Sequence, residues 1–564
     1  MPCTTILVGK DASYDGSTII ARNEDSSNGE FNPKRFVVIK PEEQPSVYHS
    51  VISHLTIDLS EETPLRYTAA PNADLKEGIW GEAGINEANV AMSATETLTT
   101  NERVLGADPF VEYQPAKGDP DSDDYEPEVL GGIGEEDFVT LVLPYIKTAR
   151  EGVERLGSLL ERFGTYEMNG VAFSDVNEIW WLETVGGHHW IAKRVPDEAY
   201  VTMPNQLGID EFDLDDALGE QENHMCSADL AEFIEDNHLD LSVESTSPFN
   251  PRDAFGSHSD MDHVYNTPRA WSMQRFLNPY DEVWEGPDAD HTPESNDIPW
   301  ARQPERKVTI EDIKYVLSDH YQGTEFDPYG KRGDERTKHM YRPIGINRQS
   351  QLSVMQIRPY RPQVSRAIQW IAYGSNPFNT LMPFYTNVDA TPAYLEDTTT
   401  RVTTENYYWA NRVIAALCDA QFSDNEPAVA RYQEKTGALG HQLVAQTDAE
   451  VNAMEGVWPT VAEAVAQAAA QDVADVDDAA DERDDFDFDG ETDEFDAGAD
   501  LDVQPMEPDE IIDALRANEA VRETLTAANQ RLADRLKTET DKLLDTVLYN
   551  TSMKMKNGFH LSDF

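Results

Sequence analysis

The sequence predicts an α+β fold built mainly from antiparallel strands. Short apolar and β-branched segments, separated by turns of hairpin length, occupy much of the first 203 residues. Segments with helical periodicity are interleaved with the strands and dominate towards the C-terminus. This order is typical of antiparallel α+β proteins and argues against a doubly wound parallel sheet.

The N-terminal segment predicts a β-hairpin. Residues 4–8 are apolar and β-branched, Asp15-Gly16 is a turn signal, and residues 17–22 have the pattern of a second strand. We expect this hairpin to bring Arg22 and Asp25 back towards Cys3.

The remaining elements follow from the same two periodicities. Residues 138–163 predict one helix, because Phe138, Leu141 and Val142 fall on one apolar face. Other helices are predicted at 310–320, 405–420 and 510–548. Further strands are predicted at 36–40, 89–94, 170–173, 179–183, 189–194, 200–203, 353–358 and 367–373.

The C-terminal region divides into an acidic segment and a helix. Residues 471–508 carry 17 Asp and Glu against the single Arg483, a composition typical of a disordered insertion. The helix beyond it has an apolar stripe that either docks on the domain or forms a coiled coil in a homo-oligomer. We therefore expect a domain over 1–470, an insertion over 471–508 and a docked helical segment over 509–564.

The net charge of −62 excludes several classes of partner. An acidic surface repels nucleic-acid phosphates and anionic lipid, so neither nucleic acid nor membrane is expected to bind. No apolar run reaches 18 residues and no secretory signal is recognisable, which predicts a cytoplasmic protein. The three cysteines have no metal-ligand spacing, and no metal or cofactor is predicted.

The N-terminus has the residues that an N-terminal nucleophile requires. In such a hydrolase the α-amine of the first mature residue acts as the base for its own side chain. Removal of Met1 and Pro2 would make Cys3 that residue. A nearby cation and carboxylate are also required, and Arg22-Asn23-Glu24-Asp25 supplies both.

These residues resemble the opening of the thiol dipeptidases best known from lactic acid bacteria, relatives of bile-salt hydrolase and penicillin V acylase in the choloylglycine-hydrolase group. The resemblance covers about the first 440 residues and resumes in the final helix. It is carried by Cys3-Thr4-Thr5-Ile6, Arg22-Asn23-Glu24-Asp25, Gly84-Ile85-Asn86-Glu87 with Met92-Ser93-Ala94-Thr95-Glu96-Thr97, Met203-Pro204-Asn205-Gln206, Tyr265-Asn266-Thr267-Pro268-Arg269 and Asn376-Pro377-Phe378-Asn379.

The resemblance implies a four-layer αββα sandwich of two antiparallel sheets and a set of site residues. Cys3 would be nucleophile and base, Asp25 would hold its amine, and Arg22 would lie beside the thiol. Asn205 would bind the oxyanion, and Arg269 would be a second site arginine.

One position departs from the wider group. Glu96 stands where that group has a second Asn, and a carboxylate cannot donate a hydrogen bond to an oxyanion. Glu96 or Thr95 would instead meet the free amine of a short peptide substrate.

Two alternatives remain open. The same nucleophile would serve an N-acyl amide hydrolase of the bile-salt or penicillin type. The chain could also be a non-catalytic acidic protein that binds calcium or a basic partner, because residues 485–496 partly match a calcium loop.

Overall fold

The computed structural model describes residues 3–27, 30–243, 248–454 and 519–557. Its strands are β1 Cys3–Val8, β2 Thr18–Asp25, β3 Val37–Ile39, β4 Val47–His49, β5 Thr56–Asp58, β6 Tyr67–Ala69, β7 Ala83–Ile85, β8 Ala91–Thr97, β9 Asn169–Ser174, β10 Ile179–Thr184, β11 Trp190–Arg194, β12 Tyr200–Met203, β13 His224–Cys226, β14 Ala301–Arg302, β15 Gln349–Ile357, β16 Ala367–Tyr373 and β17 Met382–Tyr385.

The α-helices are α1 Glu102–Ala107, α2 Phe138–Val142, α3 Ala149–Phe163, α4 Leu214–Ala217, α5 Leu230–Asp236, α6 Pro251–Phe255, α7 Asp262–Tyr265, α8 Thr267–Leu277, α9 Ile310–Val316, α10 Ala393–Glu396, α11 Tyr407–Ala420, α12 Phe422–Asn452 and α13 Glu519–Ser552. Short 3₁₀ helices occur at Pro41–Glu43, Leu143–Tyr145, Gln363–Ser365 and Asn376–Phe378. None of the described helices is long and apolar enough to span a membrane.

The two large sheets are antiparallel, which confirms the α+β class. One has seven strands in the order β14-β12-β1-β2-β15-β16-β17, and the other has six in the order β13-β11-β10-β9-β8-β7. Strands β1 and β2 form the predicted hairpin at the centre of the larger sheet, with Cys3 opposite Glu24 and Thr5 opposite Arg22. Gly16 has φ +80° in the turn region, a conformation that glycine adopts without strain.

The two sheets share one core, and helices pack on both outer faces. Leu7 and Ile20 of the larger sheet meet Trp181 and Ile191 of the smaller one in a single cluster. Helices α2 and α3 cover the outer face of the smaller sheet, and α8, α9 and α13 contribute to the cluster on the outer face of the larger one.

Strand alternation decides which residues of the hairpin face the second sheet. Neighbouring residues on a strand point to opposite faces. Leu7 and Ile20 lie in the core between the sheets, whereas Ile6 and Ile19 lie in the outer core. Cys3 and Arg22 therefore fall on the face between the sheets.

The single helix predicted over 138–163 is wrong. The structure has α2, a 3₁₀ turn and then α3, because Pro144 has no N–H to continue the ladder. The Asn86 Nδ2 donates to the carbonyl oxygens of Leu143 and Ile146, at 2.9 and 2.7 Å, which satisfies the interrupted backbone. The hydroxyl of Thr148 then caps α3.

Helix α13 packs its apolar stripe against the rest of the chain. The stripe is buried on α11, α12 and the larger sheet through Val521, Leu525, Ala528, Leu532, Leu536 and Leu543. The acidic insertion 471–508, with its calcium-loop pattern, lies outside the described residues. The division of the chain at 470 and 508 stays a prediction, as does the oligomeric state.

Candidate active site

Cys3 begins β1 and is buried on the face between the two sheets. Its Sγ accepts a hydrogen bond from Nη1 of Arg22 at 2.9 Å. The hairpin register produces this contact. Arg22 pairs with Thr5, and Thr5 points to the same inner face as Cys3 two residues before it. The structure therefore brings together the thiol and the cation that the sequence placed 19 residues apart.

The guanidinium of Arg22 is held by groups from three other segments. Its Nε donates to Ser93 Oγ at 3.1 Å, and its Nη2 donates to Ala94 O at 2.8 Å and to the carboxylate of Glu82. Glu135 lies 3.8 Å from Nη1. These contacts fix the plane of the guanidinium and leave little freedom for the group that faces the thiol.

A buried ion-pair network surrounds Arg22. Lys34 Nζ lies 3.0 Å from both Glu24 Oε2 and Glu82 Oε1. Glu82 has φ +63°, an uncommon conformation for a residue with a side chain, and such strain is concentrated at functional sites. Burial, followed by the charge of Glu82, raises the pKa of Glu24 to about 8.

Burial raises the pKa of the Cys3 thiol well above its ordinary value, and the charge of Arg22 opposes this rise. For Arg22, burial disfavours the charge, but Cys3, Glu82 and Glu135 outweigh burial and raise its pKa. The cation therefore stays charged beside the thiol and favours its ionised form.

Asp25 is fully buried but forms its ion pair with Arg342. Burial raises its pKa, while Arg342, Arg348 and Arg269 oppose the rise. By strand alternation Asp25 falls with Ala21 of the outer core and not with Arg22. Its predicted role with the Cys3 amine stays a prediction.

Asn205 follows β12 and is buried beside Glu96 of β8. Its Nδ2 donates to Glu96 Oε1 and to Thr97 O, both at 2.9 Å. The other carboxylate oxygen of Glu96 accepts from Thr5 Oγ1 at 2.8 Å. Burial raises the pKa of Glu96 to about 8, against the opposing charge of Arg269 and the hydrogen bond from Thr5.

Arg269, on α8, joins Asn205 to the nucleophile strand. Its Nη2 donates to Asn205 Oδ1 at 2.7 Å, and its Nη1 donates to Cys3 O and, at 2.7 Å, to Thr4 Oγ1. Burial and then Arg342 lower its pKa to about 10, against the opposing charge of Glu96.

The predicted substrate-binding residues are placed on β8. The register of β8 against β9 shifts between Ala94 and Glu96, so Thr95 lies at a bulge, and its side chain is outside the described structure. Both oxygens of Glu96 contact protein groups. Amine binding by Glu96 or Thr95 stays a prediction.

Four site residues escaped the sequence analysis: Lys34, Glu82, Glu135 and Arg342. Each comes from a loop whose contacts span many residues, such as the 317 residues between Asp25 and Arg342. The only local signal was a charged residue in an apolar surrounding, as at Glu82 before β7.

The chemical content of the site is a buried thiol, a cation on its sulfur, and an amide and a second cation nearby. A thiol with an adjacent cation can act as a nucleophile, and amide donors can stabilise an oxyanion. Over the described ranges, no group of three or more His, Cys, Asp or Glu side chains could hold a metal ion.

Sequence comparisons show similarity to known peptidases. Residues 2–435 match the family described as Peptidase family C69. A dipeptidase of Bifidobacterium longum is 77% identical over 100% of both chains. A probable dipeptidase A of Streptococcus pyogenes serotype M3 is 55% identical over 81% of this chain and 91% of its own. Dipeptidase A of Lactobacillus helveticus is 46% identical over 80% of this chain and 90% of its own. The chain therefore belongs to peptidase family C69.

Proposed function

We propose that the chain is a cysteine dipeptidase whose nucleophile is Cys3 and whose base is the α-amine of the same residue. The observation that carries the proposal is the 2.9 Å hydrogen bond from Arg22 to the buried Cys3 Sγ. The relatives named dipeptidase support the substrate class. The fold implied by this proposal is the αββα N-terminal-nucleophile sandwich, which agrees with the two helix-covered sheets.

In the proposed reaction the Cys3 thiolate attacks the scissile carbonyl carbon, and the electron pair of the C=O bond moves to the oxygen. Asn205 would stabilise that oxyanion by exchanging one of its two present contacts, to Glu96 or Thr97, for the substrate. Arg269 is a positioning residue, because it holds Asn205 Oδ1 and Cys3 O.

Collapse of the tetrahedral intermediate breaks the C–N bond, and the Cys3 ammonium protonates the leaving amine. The Cys3 α-amine, now neutral, then takes a proton from water. The resulting hydroxide attacks the thioester carbon, and the C–S bond breaks to release the second product and restore the thiolate. This cycle needs a free α-amine, so we propose that Met1 and Pro2 are removed. We also propose a cytoplasmic location and short peptides as substrates.

The experiment joins intact-mass measurement to a dipeptide assay. We expect mature chains that begin at Cys3, hydrolysis of dipeptides, and no hydrolysis by Cys3→Ala prepared in the same way. Cys418→Ala, which changes a buried cysteine on α11, is the matched control and should remain active. Dipeptide hydrolysis by purified Cys3→Ala would falsify the proposal.

The assay also separates the acylase alternative. A panel containing a conjugated bile salt and penicillin V should remain uncleaved while dipeptides are hydrolysed. Cleavage of either N-acyl amide at a comparable rate would favour the alternative over a dipeptidase.

A further inference from the structure

A cavity lies away from Cys3, between α9, α12 and the 3₁₀ helix Asn376–Phe378. Its volume is about 630 Å³, within the range of small-molecule sites. The residues that line it include neither Cys3 nor the groups that contact Cys3. It is therefore separate from the site of the proposed hydrolysis.

A basic side chain, Lys314, lines this cavity together with the carboxylate residues Glu311, Asp327, Glu426 and Glu434. Lys314 on α9 donates from Nζ to Asn376 O at 2.6 Å and to Ser318 Oγ at 2.9 Å. Burial alone lowers its pKa to about 7, and no carboxylate of the described residues forms an ion pair with it. An ammonium has three donors, and a buried charge is normally paired. An anionic group of a ligand would complete this arrangement.

Other residues that line the cavity supply apolar groups and exposed carboxylates. Helix α12 contributes the apolar Phe422 and Val429 and the exposed Glu426 and Glu434 to the lining. Phe378 and Trp370 add aromatic surface. The cavity thus combines a cation, an apolar body and anions.

We propose that this cavity binds a hydrophobic α-amino acid, with its carboxylate on Lys314, its side chain against the apolar wall and its ammonium facing Glu426 and Glu434. A zwitterion with an apolar side chain matches all three features, whereas a simple carboxylate would meet the repulsion of the glutamates. Free amino acids are the products of dipeptide hydrolysis, so the source of this ligand rests on the proposed function.

The cavity is joined to the nucleophile hairpin by hydrogen bonds. Lys314 contacts the carbonyl of Asn376, whose Nδ2 donates to Asn23 Oδ1 at 2.7 Å. Asn23 also donates to Leu317 O at 2.8 Å, at the end of α9. A ligand on Lys314 would therefore lie next to the network that anchors β2, between Arg22 and Asp25.

Calorimetric titration of the inactive Cys3→Ala protein with L-leucine and L-phenylalanine tests the proposal. We expect binding at one site, weakened at least about tenfold, equivalent to 1.4 kcal/mol, by adding Lys314→Met. Adding Lys117→Met is the matched control and should have no effect, because Lys117 is exposed and does not line the cavity. Leucinamide and N-acetyl-leucine, which each lack one charge, should bind more weakly than leucine.

A second variant keeps the test decisive if Lys314→Met does not fold. The paired change Glu426→Gln and Glu434→Gln alters exposed side chains and should weaken leucine binding without weakening N-acetyl-leucine. No binding, or equal binding in every variant, would overturn the proposal. These results are independent of the nucleophile assignment, which only dipeptide hydrolysis by Cys3→Ala would overturn.

Discussion

Arg22 and Arg269 are both buried against Cys3, but their charges are balanced in different ways. Arg22 contacts the Sγ of Cys3 and forms ion pairs with Glu82 and Glu135. Arg269 contacts the carbonyl of Cys3, and its other hydrogen bonds are to hydroxyl, amide and carbonyl oxygens. Accordingly the pKa of Arg22 is raised and that of Arg269 is lowered.

This difference separates two roles. Arg22 belongs to a network of buried charges that compensate one another, and within that network it also polarises the Cys3 thiol. Arg269 has no direct carboxylate partner among the described residues, and its hydrogen bonds orient neutral groups. We therefore expect loss of Arg22 to harm both stability and thiol chemistry, and loss of Arg269 to act mainly through the position of Asn205.

Replacement of Arg22 should have the largest effect. Arg22→Met removes the guanidinium from Glu135 and leaves Glu82 with Lys34 alone, which should cost about 3–5 kcal/mol of unfolding free energy. The thiol should also ionise about 1–3 pH units higher, because the adjacent positive charge is lost. Urea unfolding and the pH dependence of dipeptide hydrolysis measure the two effects.

Arg22→Lys is the control for this change, since it retains the charge but not the fork of donors. It should recover more stability than activity. An unchanged urea midpoint in Arg22→Met would contradict the compensated network.

Loss of Asn205 should come next, with an effect on catalysis more than on folding. Asn205→Ala should lower kcat about 10²–10³-fold, the usual cost of removing one oxyanion donor. Steady-state kinetics should show the loss in kcat with KM little changed. The exposed Asn237→Ala is the matched control, and an equal loss there would remove Asn205 from the site.

Replacement of Arg269 should be milder than that of Arg22 in stability. Arg269→Gln removes hydrogen bonds to Asn205 and Cys3 but strands no ion pair, so we expect a loss of about 1–3 kcal/mol. Arg269→Gln should also lower kcat. The double variant with Asn205→Ala should lose no more kcat than Asn205→Ala alone, because both changes act through the Asn205 amide. Additive losses would show that Arg269 acts by another route.

The last prediction concerns Glu96 and the pH dependence of stability. Its folded pKa of about 8 exceeds the ordinary value of 4.5, so the folded chain holds a proton that the unfolded chain has lost. Stability from this group therefore falls as pH rises between these values, by up to about 1.4 kcal/mol per pH unit. Glu96→Gln should reduce that slope.

Urea unfolding at three pH values within this window measures the slope. The exposed Glu42→Gln should leave it as in the wild-type chain. An identical slope in Glu96→Gln and wild type would mean that Glu96 is ionised in the folded state.

The hairpin that carries Cys3 could be predicted because it depends on local pattern. A turn signal between two β-branched runs sets the hairpin, and its register then places Arg22 at the thiol. Arg22 and Asp25 have opposite parity on β2: Arg22 contacts the Cys3 thiol, and Asp25 forms an ion pair with Arg342.

The break between α2 and α3 was missed for a comparable reason. Periodicity continues across Pro144, and the apolar pattern alone predicts one helix. The carbonyl groups freed there are satisfied by Asn86, a residue 57 and 60 positions away from them. A long-range contact of this kind leaves no local trace.

The sequence by itself determined the α+β class, the peptidase family, and the nucleophile, cation and amide candidates, because these depend on local periodicity and motif order. Only the tertiary structure decided which charges meet: Arg22 with Glu82, Asp25 with Arg342, and Lys314 with no carboxylate of the described residues. The physical reason is that a buried charge needs a partner in space, and strands and loops distant in sequence supply it once the two sheets have packed.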